Sequence, residues 1–296
     1  MDEKDENTRI GLIGVGLMGH GIAINIARRG YRLAFLEHPG NQTVADLLAS
    51  GALACASAAA LAADSDVVIL CVTGTPEVED VLFRADGVLA GLRPGTVVID
   101  CSTAVPSSTT RVATAIGAAG GRFLDAPMTR TPKEAAEGRL NLIVGGDRAL
   151  FEQCRPLLAS FAENVVHAGP VGAGHTLKLL HNYVSLGFTA VLAEAAACAQ
   201  RAGIESSVLL EVLARGGGAG VVLERMRPFI EAHDDSAFRF TIANALKDIG
   251  YYAAMAAELD AARTTADAIR QTYARAAEGH AQSSVPELVD LLAARA

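Results

Sequence analysis

Short apolar runs alternate with helix-compatible stretches through the first half of the chain. After a first short run that leads into Gly14 and a second at Arg32–Leu36, further runs lie at Val67–Val72, Thr96–Asp100, Phe123–Ala126, Leu140–Val144 and Val165–His167. Alanine-rich segments such as Val44–Ala49 and Arg111–Ala119 separate most of them. Strands that alternate with helices favour a parallel sheet with right-handed crossovers. The pattern therefore predicts an α/β domain in this half.

After Gly169-Pro170 the pattern becomes helical and stays so. One helix is predicted from about Ala173 to Ala202. It is apolar on most faces, so we expect it to be buried, partly against the sheet domain and partly against another subunit. Further helices are predicted at Glu205–Arg215, Val221–Ala232, Ile242–Arg263 and Thr264–Glu278. The prediction is an α/β domain over residues 8–170 and an all-α domain over residues 171–296, joined by one long helix.

A glycine motif follows the first predicted strand. Gly14, Gly16 and Gly19 form Gly-x-Gly-x-x-Gly, and an apolar helical pattern follows the motif. Leu17 and Met18, inside the motif, are also candidate cofactor-binding residues. The first glycine permits a tight turn, the second lets a pyrophosphate approach the backbone, and the third allows close packing of helix and strand. Free N–H groups at the helix N-terminus then face the phosphates. The motif indicates a Rossmann-type dinucleotide-binding domain.

The second predicted strand ends at an acidic residue. Glu37 can accept hydrogen bonds from both hydroxyls of an adenine ribose and would repel a 2′-phosphate. His38 follows at the position where an NADP enzyme is expected to offer arginine. These two residues favour NAD over NADP. Two later strand ends should line the same cleft, because ligands bind beyond the carboxyl ends of the strands; they bring Val72, Thr73, Ser102 and Thr103 into the candidate site.

The segment Gly172-Ala-Gly-His-Thr-Leu-Lys-Leu-Leu-His-Asn182 carries the candidate chemistry. Lys178 and Asn182 are four residues apart, so they share a face of the long helix. Apolar surroundings lower the pKa of a lysine toward the range that suits proton transfer. The asparagine can position a carbonyl or hydroxyl oxygen without competing for the proton.

Composition excludes several classes of protein. The net charge of −8 argues against nucleic acid as a partner, and any anionic substrate must be drawn in by local cations. The five cysteines have no metal-ligand spacing, and we expect Cys71, Cys101 and Cys198 to be core residues. Residues 1–7 are polar with no signal region, and no apolar stretch has the character of a membrane span. We therefore expect a cytoplasmic protein that binds neither metal nor membrane.

These motifs together resemble the β-hydroxyacid dehydrogenases, a family that includes 3-hydroxyisobutyrate dehydrogenase and 2-hydroxy-3-oxopropionate reductase. The resemblance covers Gly11–Gly30, Asp100-Cys-Ser-Thr103, the Gly-x-Gly-x-x-x-Lys-x-x-x-Asn segment, and the late Phe240 and Lys247-Asp248. It implies that Lys178 is the general acid/base and that Asn182 orients the reacting oxygen. It also implies that Ser102 lies near nicotinamide and substrate, that Phe240 walls the nicotinamide pocket and that Lys247 closes over the cofactor.

Two departures from the family pattern bear on the substrate. His181 stands where the family usually has a first asparagine, and it is either a pocket wall or a substrate contact. The substrate loop reads Asp125-Ala-Pro-Met-Thr129-Arg130-Thr131, with Arg130 in place of a glycine. A guanidinium there suits bidentate binding of an oxyanion. The alternative is an Arg130 that turns outward or pairs with Glu134 or Glu137.

The sequence thus predicts an oxidoreductase that uses NAD, less readily NADP, to interconvert a short 3-hydroxy acid and its semialdehyde. An enzyme that binds the sulfonate of sulfolactaldehyde through Arg130 is an alternative within the family. A non-catalytic dinucleotide-binding scaffold is an alternative from another class, and the presence of Lys178, Asn182, Ser102 and Lys247 argues against it. A homodimer or homotetramer is expected from the apolar helix and from the resemblance.

Overall fold

The computed structural model describes residues 7–294. The polar segment predicted over residues 1–7 therefore lies, except for Asn7, outside the described residues. Two compact units make up the chain, Met1–Lys178 and Leu179–Ala296. The division falls inside the long helix, after the boundary at residue 170 that the sequence pattern suggested.

The first unit alternates strands and helices. Its strands are β1 (Arg9–Ile13), β2 (Arg32–Leu36), β3 (Leu53–Cys55), β4 (Val67–Leu70), β5 (Val97–Asp100), β6 (Arg122–Asp125), β7 (Met128–Thr129), β8 (Leu140–Gly146) and β9 (Ala162–Gly169). Its helices are α1 (Leu17–Arg28), α2 (Ala45–Ala49), α3 (Ala58–Ala63), α4 (Thr75–Phe83), α5 (Val88–Gly91), α6 (Pro106–Ala118), α7 (Pro132–Ala136) and α8 (Arg148–Leu158).

The strands form one mostly parallel sheet in the order β3-β2-β1-β4-β5-β6-β8-β7, with β9 paired to β8. All pairs from β1 to β6 are parallel. The predicted parallel sheet is confirmed over these strands, and it departs from that pattern at one edge, where β8 runs antiparallel to both β6 and β7. Residues 130–139, which join β7 to β8, contain only the short helix α7, and so short a connection returns the chain antiparallel.

Each face of this sheet is covered by its own apolar cluster. One cluster joins α1 to alternate residues of the central strands, with Ile22, Ile26 and Ile69 fully buried, and the other includes Leu61, Val68 and Val98. Because both faces are covered, the middle strands are continuous apolar runs. This explains why they could be located from the sequence.

The long helix α9 spans Ala173–Arg201. By length and composition alone this helix could cross a membrane, but 56% of its most apolar window is buried in the structure, and core helices pass the same test. The expectation of a buried helix holds only in part, since Leu177, Val184 and Val191 are exposed. Cys198 is exposed as well and is not the core residue that was expected, whereas Cys101 is buried.

The second unit is helical throughout its described part. After α9 come α10 (Ser206–Ala214), α11 (Val221–Ala232), α12 (Ile242–Glu258), α13 (Thr264–His280) and α14 (Leu288–Ala294). Its core gathers around Tyr273, whose hydroxyl donates to the Leu186 carbonyl of α9 at 2.9 Å. The predicted helix ending at Arg263 stops earlier, at Glu258, where the turn at Asp260 takes a left-handed φ of 51°.

Candidate active site

The glycine turn between β1 and α1 has the geometry of a dinucleotide site. Gly14 takes a φ of +96°, and a Cβ there would collide with the Cys71 carbonyl. A Cβ on Gly16 would instead meet nothing within 4 Å, so the backbone on that side is open to a ligand. Helix α1 begins directly afterwards, with Leu17 exposed and Met18 partly buried. Free N–H groups and open space together fit a pyrophosphate.

Glu37 and His38 lie at the expected edge of this site. Both are exposed, immediately after the end of β2. Together with Asn41 and Leu48 they line a cavity of about 530 Å³. The carboxylate of Glu37 is thus available to ribose hydroxyls, while Nδ1 of His38 accepts a 3.0 Å hydrogen bond from the Gly40 N–H.

Asn41 connects the two halves of the dinucleotide site, and sequence reasoning missed it. Its Oδ1 accepts from the N–H of Val15, inside the glycine turn, at 3.3 Å. Its Nδ2 donates to the carbonyl of Leu36, the last residue of β2, at 2.9 Å. The N–H of the neighbouring Gln42 also donates to the Val15 carbonyl at 2.7 Å. The amide therefore fixes the phosphate turn relative to the strand end that presents Glu37.

The ends of β4 and β5 are tied together at Ser102. This buried hydroxyl accepts a 3.0 Å hydrogen bond from the Val72 N–H, and the Ser102 N–H donates to Oδ1 of Asp100 at 2.9 Å. Thr73 and Thr103 follow the same two strand ends, and both are at least partly exposed. The structure thus brings Val72, Thr73, Ser102 and Thr103 to one edge of the sheet.

The start of α9 is anchored to this edge. Asp125, at the end of β6 and fully buried, accepts the Gly172 N–H at 2.8 Å and the His175 N–H at 2.9 Å. A Cβ on Gly174 would collide with the Ile143 carbonyl, so the helix packs closely on β8 at this point. The carboxylate satisfies N–H groups that have no partner within the helix. The first turn, three residues before Lys178, is therefore fixed to the sheet.

Lys178 and Asn182 belong to the continuous helix α9 at positions i and i+4. Lys178 is half-buried rather than enclosed, and its neighbour Leu177 is 43% exposed. The expectation of a lysine buried in an apolar stretch is therefore wrong in degree. Asn182 is buried at 6% exposure.

Inside the second unit, Asn182 is held by two neighbours. Its Nδ2 donates to Oδ2 of Asp248 at 2.7 Å, and its Oδ1 lies 3.0 Å from Nδ1 of the exposed His181. The other Asp248 oxygen, which is buried, lies 3.2 Å from Nζ of Lys247. That ammonium also stands over the Tyr251 ring at 5.4 Å. Phe240, partly buried, stacks near Phe238 with 6.4 Å between ring centroids.

The loop Thr129–Thr131 presents a cation with existing partners. The Arg130 guanidinium donates to Glu163 and to the Arg139 carbonyl, rather than to Glu134 or Glu137. Arg130 also takes a φ of +85°, a left-handed conformation that glycine adopts most easily. Thr131 and Glu134 form the capping box of α7, and Thr129 Oγ1 accepts from Asn141 at 3.1 Å. Substrate binding by these three residues stays a prediction.

Within residues 7–294, no group of three or more histidine, cysteine or acidic residues is arranged to hold a metal ion. The titratable residues near the strand ends are instead bound to each other and to backbone. Burial raises the pKa of the Asp100 carboxyl, and the nearby His175 opposes that rise.

Comparison with known proteins identifies the family. Residues 9–169 match the model for the NAD-binding domain of 6-phosphogluconate dehydrogenase, and residues 172–292 match that for the NAD-binding region of NADP-dependent 3-hydroxyisobutyrate dehydrogenase. The chain belongs to the β-hydroxyacid dehydrogenase family. It is therefore an NAD(P)-dependent oxidoreductase that acts on a hydroxyl group of a small hydroxy acid.

Individual family members resemble the chain over most of its length. The NAD-dependent L-serine dehydrogenase of Pseudomonas aeruginosa is 36% identical over 221 residues, which is 75% of this chain and 74% of that protein. The 2-hydroxy-3-oxopropionate reductase of Escherichia coli is 34% identical over 217 residues, or 73% of each chain. The structure of Mycobacterium tuberculosis 3-hydroxyisobutyrate dehydrogenase with L-serine has a TM-score of 0.86 at 27% identity and covers 98% of this chain and 100% of that one.

Proposed function

We propose that this β-hydroxyacid dehydrogenase interconverts a short 3-hydroxy acid and its semialdehyde, with Lys178 as general acid/base. The observation that carries the proposal is the position of Lys178. It stands one turn beyond a helix start that Asp125 fixes to the edge of the sheet where Ser102 also lies. This edge is the side of the sheet on which a Rossmann-type domain binds its dinucleotide.

The names of the relatives support the substrate class. L-Serine, 3-hydroxyisobutyrate and 2-hydroxy-3-oxopropionate each carry a carboxylate on carbon 1 and a primary alcohol or aldehyde at carbon 3. Apart from the oxidation level of carbon 3, the three differ in the substituent on carbon 2. A substrate with this skeleton places one anionic end and one reacting end a few ångströms apart, which suits a cation in the substrate loop and a lysine at the reacting carbon.

A bound dinucleotide would supply the hydride that the carbonyl carbon accepts in reduction. Nζ of Lys178 donates a proton to the carbonyl oxygen, and a second N–H of Asn182, besides the one bonded to Asp248, holds that oxygen in line. In oxidation, neutral Lys178 accepts the hydroxyl proton. Ser102 and Thr103 bound the site at the end of β5, and the resemblance to the family assigns the nicotinamide wall to Phe240 and cofactor binding to Lys247.

We propose NAD as the preferred dinucleotide. The exposed carboxylate of Glu37 at the end of β2 suits ribose hydroxyls and repels a 2′-phosphate. We further propose that Thr129, Arg130 and Thr131 bind the anionic end of the substrate. Binding of this kind requires the Arg130 guanidinium to leave the Glu163 carboxylate and bind the substrate instead. If the anionic end of the substrate is a sulfonate rather than a carboxylate, the enzyme is a sulfolactaldehyde reductase.

The proposed working form is a soluble cytoplasmic homodimer or homotetramer. The exposed apolar side chains of Val184 and Val191 on α9 support association with further copies. Light scattering at micromolar concentration measures this state directly, and a monomer contradicts it.

The test of the function is turnover by wild type, Lys178→Ala and the matched surface variant Lys133→Ala. NADH oxidation is followed with a panel of three-carbon semialdehydes bearing a carboxylate or a sulfonate. We expect Lys178→Ala to lose about 10²–10⁴-fold in kcat while it binds NADH normally, and Lys133→Ala to match wild type. A Lys178→Ala variant with wild-type kcat, or a wild type inactive on the whole panel, contradicts the proposal.

A further inference from the structure

His175 has no part in the reaction described above. It lies at the centre of a buried cluster at the edge of the sheet. The side chains of His175, Thr109, Ser102, Asp100 and Asp125 are all at most 3% exposed. They come from the first turn of α9, from α6, and from the ends of β5 and β6. A histidine with no solvent contact, packed among these elements, fixes the position of one against another.

Both ring nitrogens of His175 have a partner of fixed position. Nδ1 lies 2.7 Å from Oγ1 of Thr109, and Nε2 lies 3.2 Å from the carbonyl oxygen of Ser102. A carbonyl only accepts, so Nε2 carries a proton and donates it. The Thr109 hydroxyl can donate or accept, and it is also 3.2 Å from the Val105 carbonyl. The ring is therefore held at both ends in one orientation, whichever charge it carries.

Two carboxylates flank the same ring. Oδ2 of Asp100 lies 3.9 Å from Nε2, and Oδ2 of Asp125 lies 4.0 Å from Nδ1. Asp125 also binds the backbone N–H of His175 itself at 2.9 Å. The residue is thus attached to the ends of both strands through its ring and to β6 through its main chain.

The positions that this arrangement fixes are those of Ser102 and Lys178. The carbonyl of Ser102 accepts a hydrogen bond from Nε2 of His175, and its hydroxyl accepts one from the Val72 N–H. Lys178 follows His175 by three residues on the same helix, so its Cα moves with the first turn. A shift of about 1 Å between a proton donor and its substrate can cost about 100-fold in rate.

We infer that His175 is a positioning residue for this enzyme: through Thr109 and the Ser102 carbonyl it sets the distance between the strand end bearing Ser102 and the helix bearing Lys178. The inference rests on the proposed role of Lys178. His175 itself touches neither substrate nor cofactor in this assignment, and its effect is exerted on kcat.

The experiment compares variants on the two sides of the ring. His175→Leu removes both ring hydrogen bonds at similar size. Thr109→Val removes the Nδ1 partner together with the bond to the Val105 carbonyl, and Thr109→Ser retains the hydroxyl that makes both contacts. His167→Gln is the matched control, because the His167 ring also lies 2.9 Å from a strand-end carbonyl, that of Gly146, but among the described residues it forms no hydrogen bond with α9 or Ser102. For each, kcat, KM, the Kd for NADH and the melting temperature are measured, with Lys178→Ala alongside.

We expect His175→Leu to lose about 10- to 100-fold in kcat, with the Kd for NADH within about twofold of wild type. Thr109→Val should lose less kcat than His175→Leu, and Thr109→Ser should keep the wild-type kcat. The double variant with both His175→Leu and Thr109→Val should have a kcat no lower than that of His175→Leu alone. If His175→Leu does not fold, Thr109→Val against Thr109→Ser decides the question. Rescue by serine and a loss confined to kcat separate positioning from general destabilisation.

Each remaining result overturns the inference in an identifiable way. If Lys178→Ala is inactive but the His175 and Thr109 variants keep wild-type kcat, the positioning role is wrong and the proposed function stands. If the losses appear in the Kd for NADH, or follow the melting temperature equally in Thr109→Val and Thr109→Ser, His175 serves stability alone. If Lys178→Ala keeps its activity, the proposed function fails first and the inference fails with it.

Discussion

The side-chain amide of Asn182 donates a 2.7 Å hydrogen bond to a carboxylate oxygen of Asp248, and both side chains are buried. The bond orients an amide that would otherwise be free to rotate about its side-chain torsions. The other oxygen of Asp248 lies 3.2 Å from Lys247 Nζ, so a single carboxylate positions both the proposed oxygen-binding group and the proposed cofactor-binding lysine.

Replacing Asp248 by alanine should therefore affect kcat and stability together. The change leaves the buried Asn182 N–H unpaired, at a cost of about 1–3 kcal/mol. It also frees the amide, and we expect kcat to fall about 10- to 100-fold. Asp248→Asn keeps an acceptor oxygen for Asn182 and should retain most of kcat while weakening NADH binding through Lys247. Steady-state kinetics and thermal unfolding check this, and equal kcat in the two variants is the contrary result.

Glu37 should decide the choice of dinucleotide. Its carboxylate is exposed at the edge of the cavity beyond β2, where an added 2′-phosphate would be repelled. Glu37→Ala is expected to raise KM for NAD and lower KM for NADP, so the ratio of the two kcat/KM values narrows. Glu152→Ala, on the distant helix α8, serves as the control for loss of one negative charge. An unchanged ratio removes the reason for preferring NAD.

Asn41 should matter for cofactor affinity but not for chemistry. Its amide joins Val15 in the glycine turn to Leu36 at the end of β2. Loss of both bonds should destabilise the attachment of this loop to the glycine turn and to β2 by about 1–3 kcal/mol. We expect Asn41→Ala to raise the Kd for NADH about tenfold and to leave kcat at saturating NADH unchanged. Asn164→Ala removes a comparable exposed amide bond on β9, and a similar Kd in both variants contradicts the prediction.

A pH-dependent contribution to stability is expected at the start of β1. Asp66 receives hydrogen bonds from the Arg9 side chain and backbone and from Arg93, and the Arg9 guanidinium holds the pKa of this carboxyl well below its usual range. A lowered folded-state pKa stabilises the protein above the ordinary pKa, and that stability is lost as pH falls toward the folded value. Because the side chain is 41% exposed, its contribution is about 1 kcal/mol.

Urea unfolding of wild type and Asp66→Asn measures this contribution. The difference in unfolding free energy should be largest at pH 7 and should shrink below about pH 4. Asp147→Asn is unsuitable as a control because Asp147 caps α8, so the exposed Asp260→Asn is used. A difference that is constant from pH 7 to pH 3 shows that the effect of Asp66 is not due to its ionisation.

The features that could be predicted from the sequence are those with local signals. The glycine turn, the apolar central strands and the helix bounds of Val221–Ala232 follow from spacing within a few residues. The bond between Asn182 and Asp248 could not be found in this way, because 66 residues separate the partners and an amide in an apolar helix has many possible acceptors. The same is true of Asn41, which lies in a loop without periodicity.

Two residues show how tertiary contacts decide what local pattern cannot. Nothing near His175 in the sequence indicates its partners, and only the fold brings Thr109 and the Ser102 carbonyl to its ring. Cys198 sits in an apolar helical run, yet it is exposed, because a long helix presents apolar residues on more faces than its own chain covers. Asp125 could have been found by one argument only. The first N–H groups of α9 need an acceptor, and a carboxylate at a strand end can supply it.

Arg130 and Glu163 make the sharpest test of the substrate loop. Their ion pair occupies the guanidinium, and the pKa of Glu163 is lowered by its hydrogen bond with Arg130, so the carboxylate stays ionised at neutral pH. Glu163→Gln removes the competing charge, and we expect KM for an anionic semialdehyde to fall severalfold. Arg130→Gly should raise KM on the same substrate by about tenfold or more, since a charged hydrogen bond contributes about 1.5–3 kcal/mol. Because Arg130 has a φ of +85°, glycine there should not lower the melting temperature.

The control is Glu137→Gln, which removes another partner of Arg139 but leaves Arg130 paired. Assays on matched carboxylate and sulfonate substrates then identify the anion that Arg130 binds. For that substrate, Arg130→Gly should raise KM more than for the other. If neither variant changes KM on either substrate, Arg130 only holds its loop to β9, and the anion is bound elsewhere.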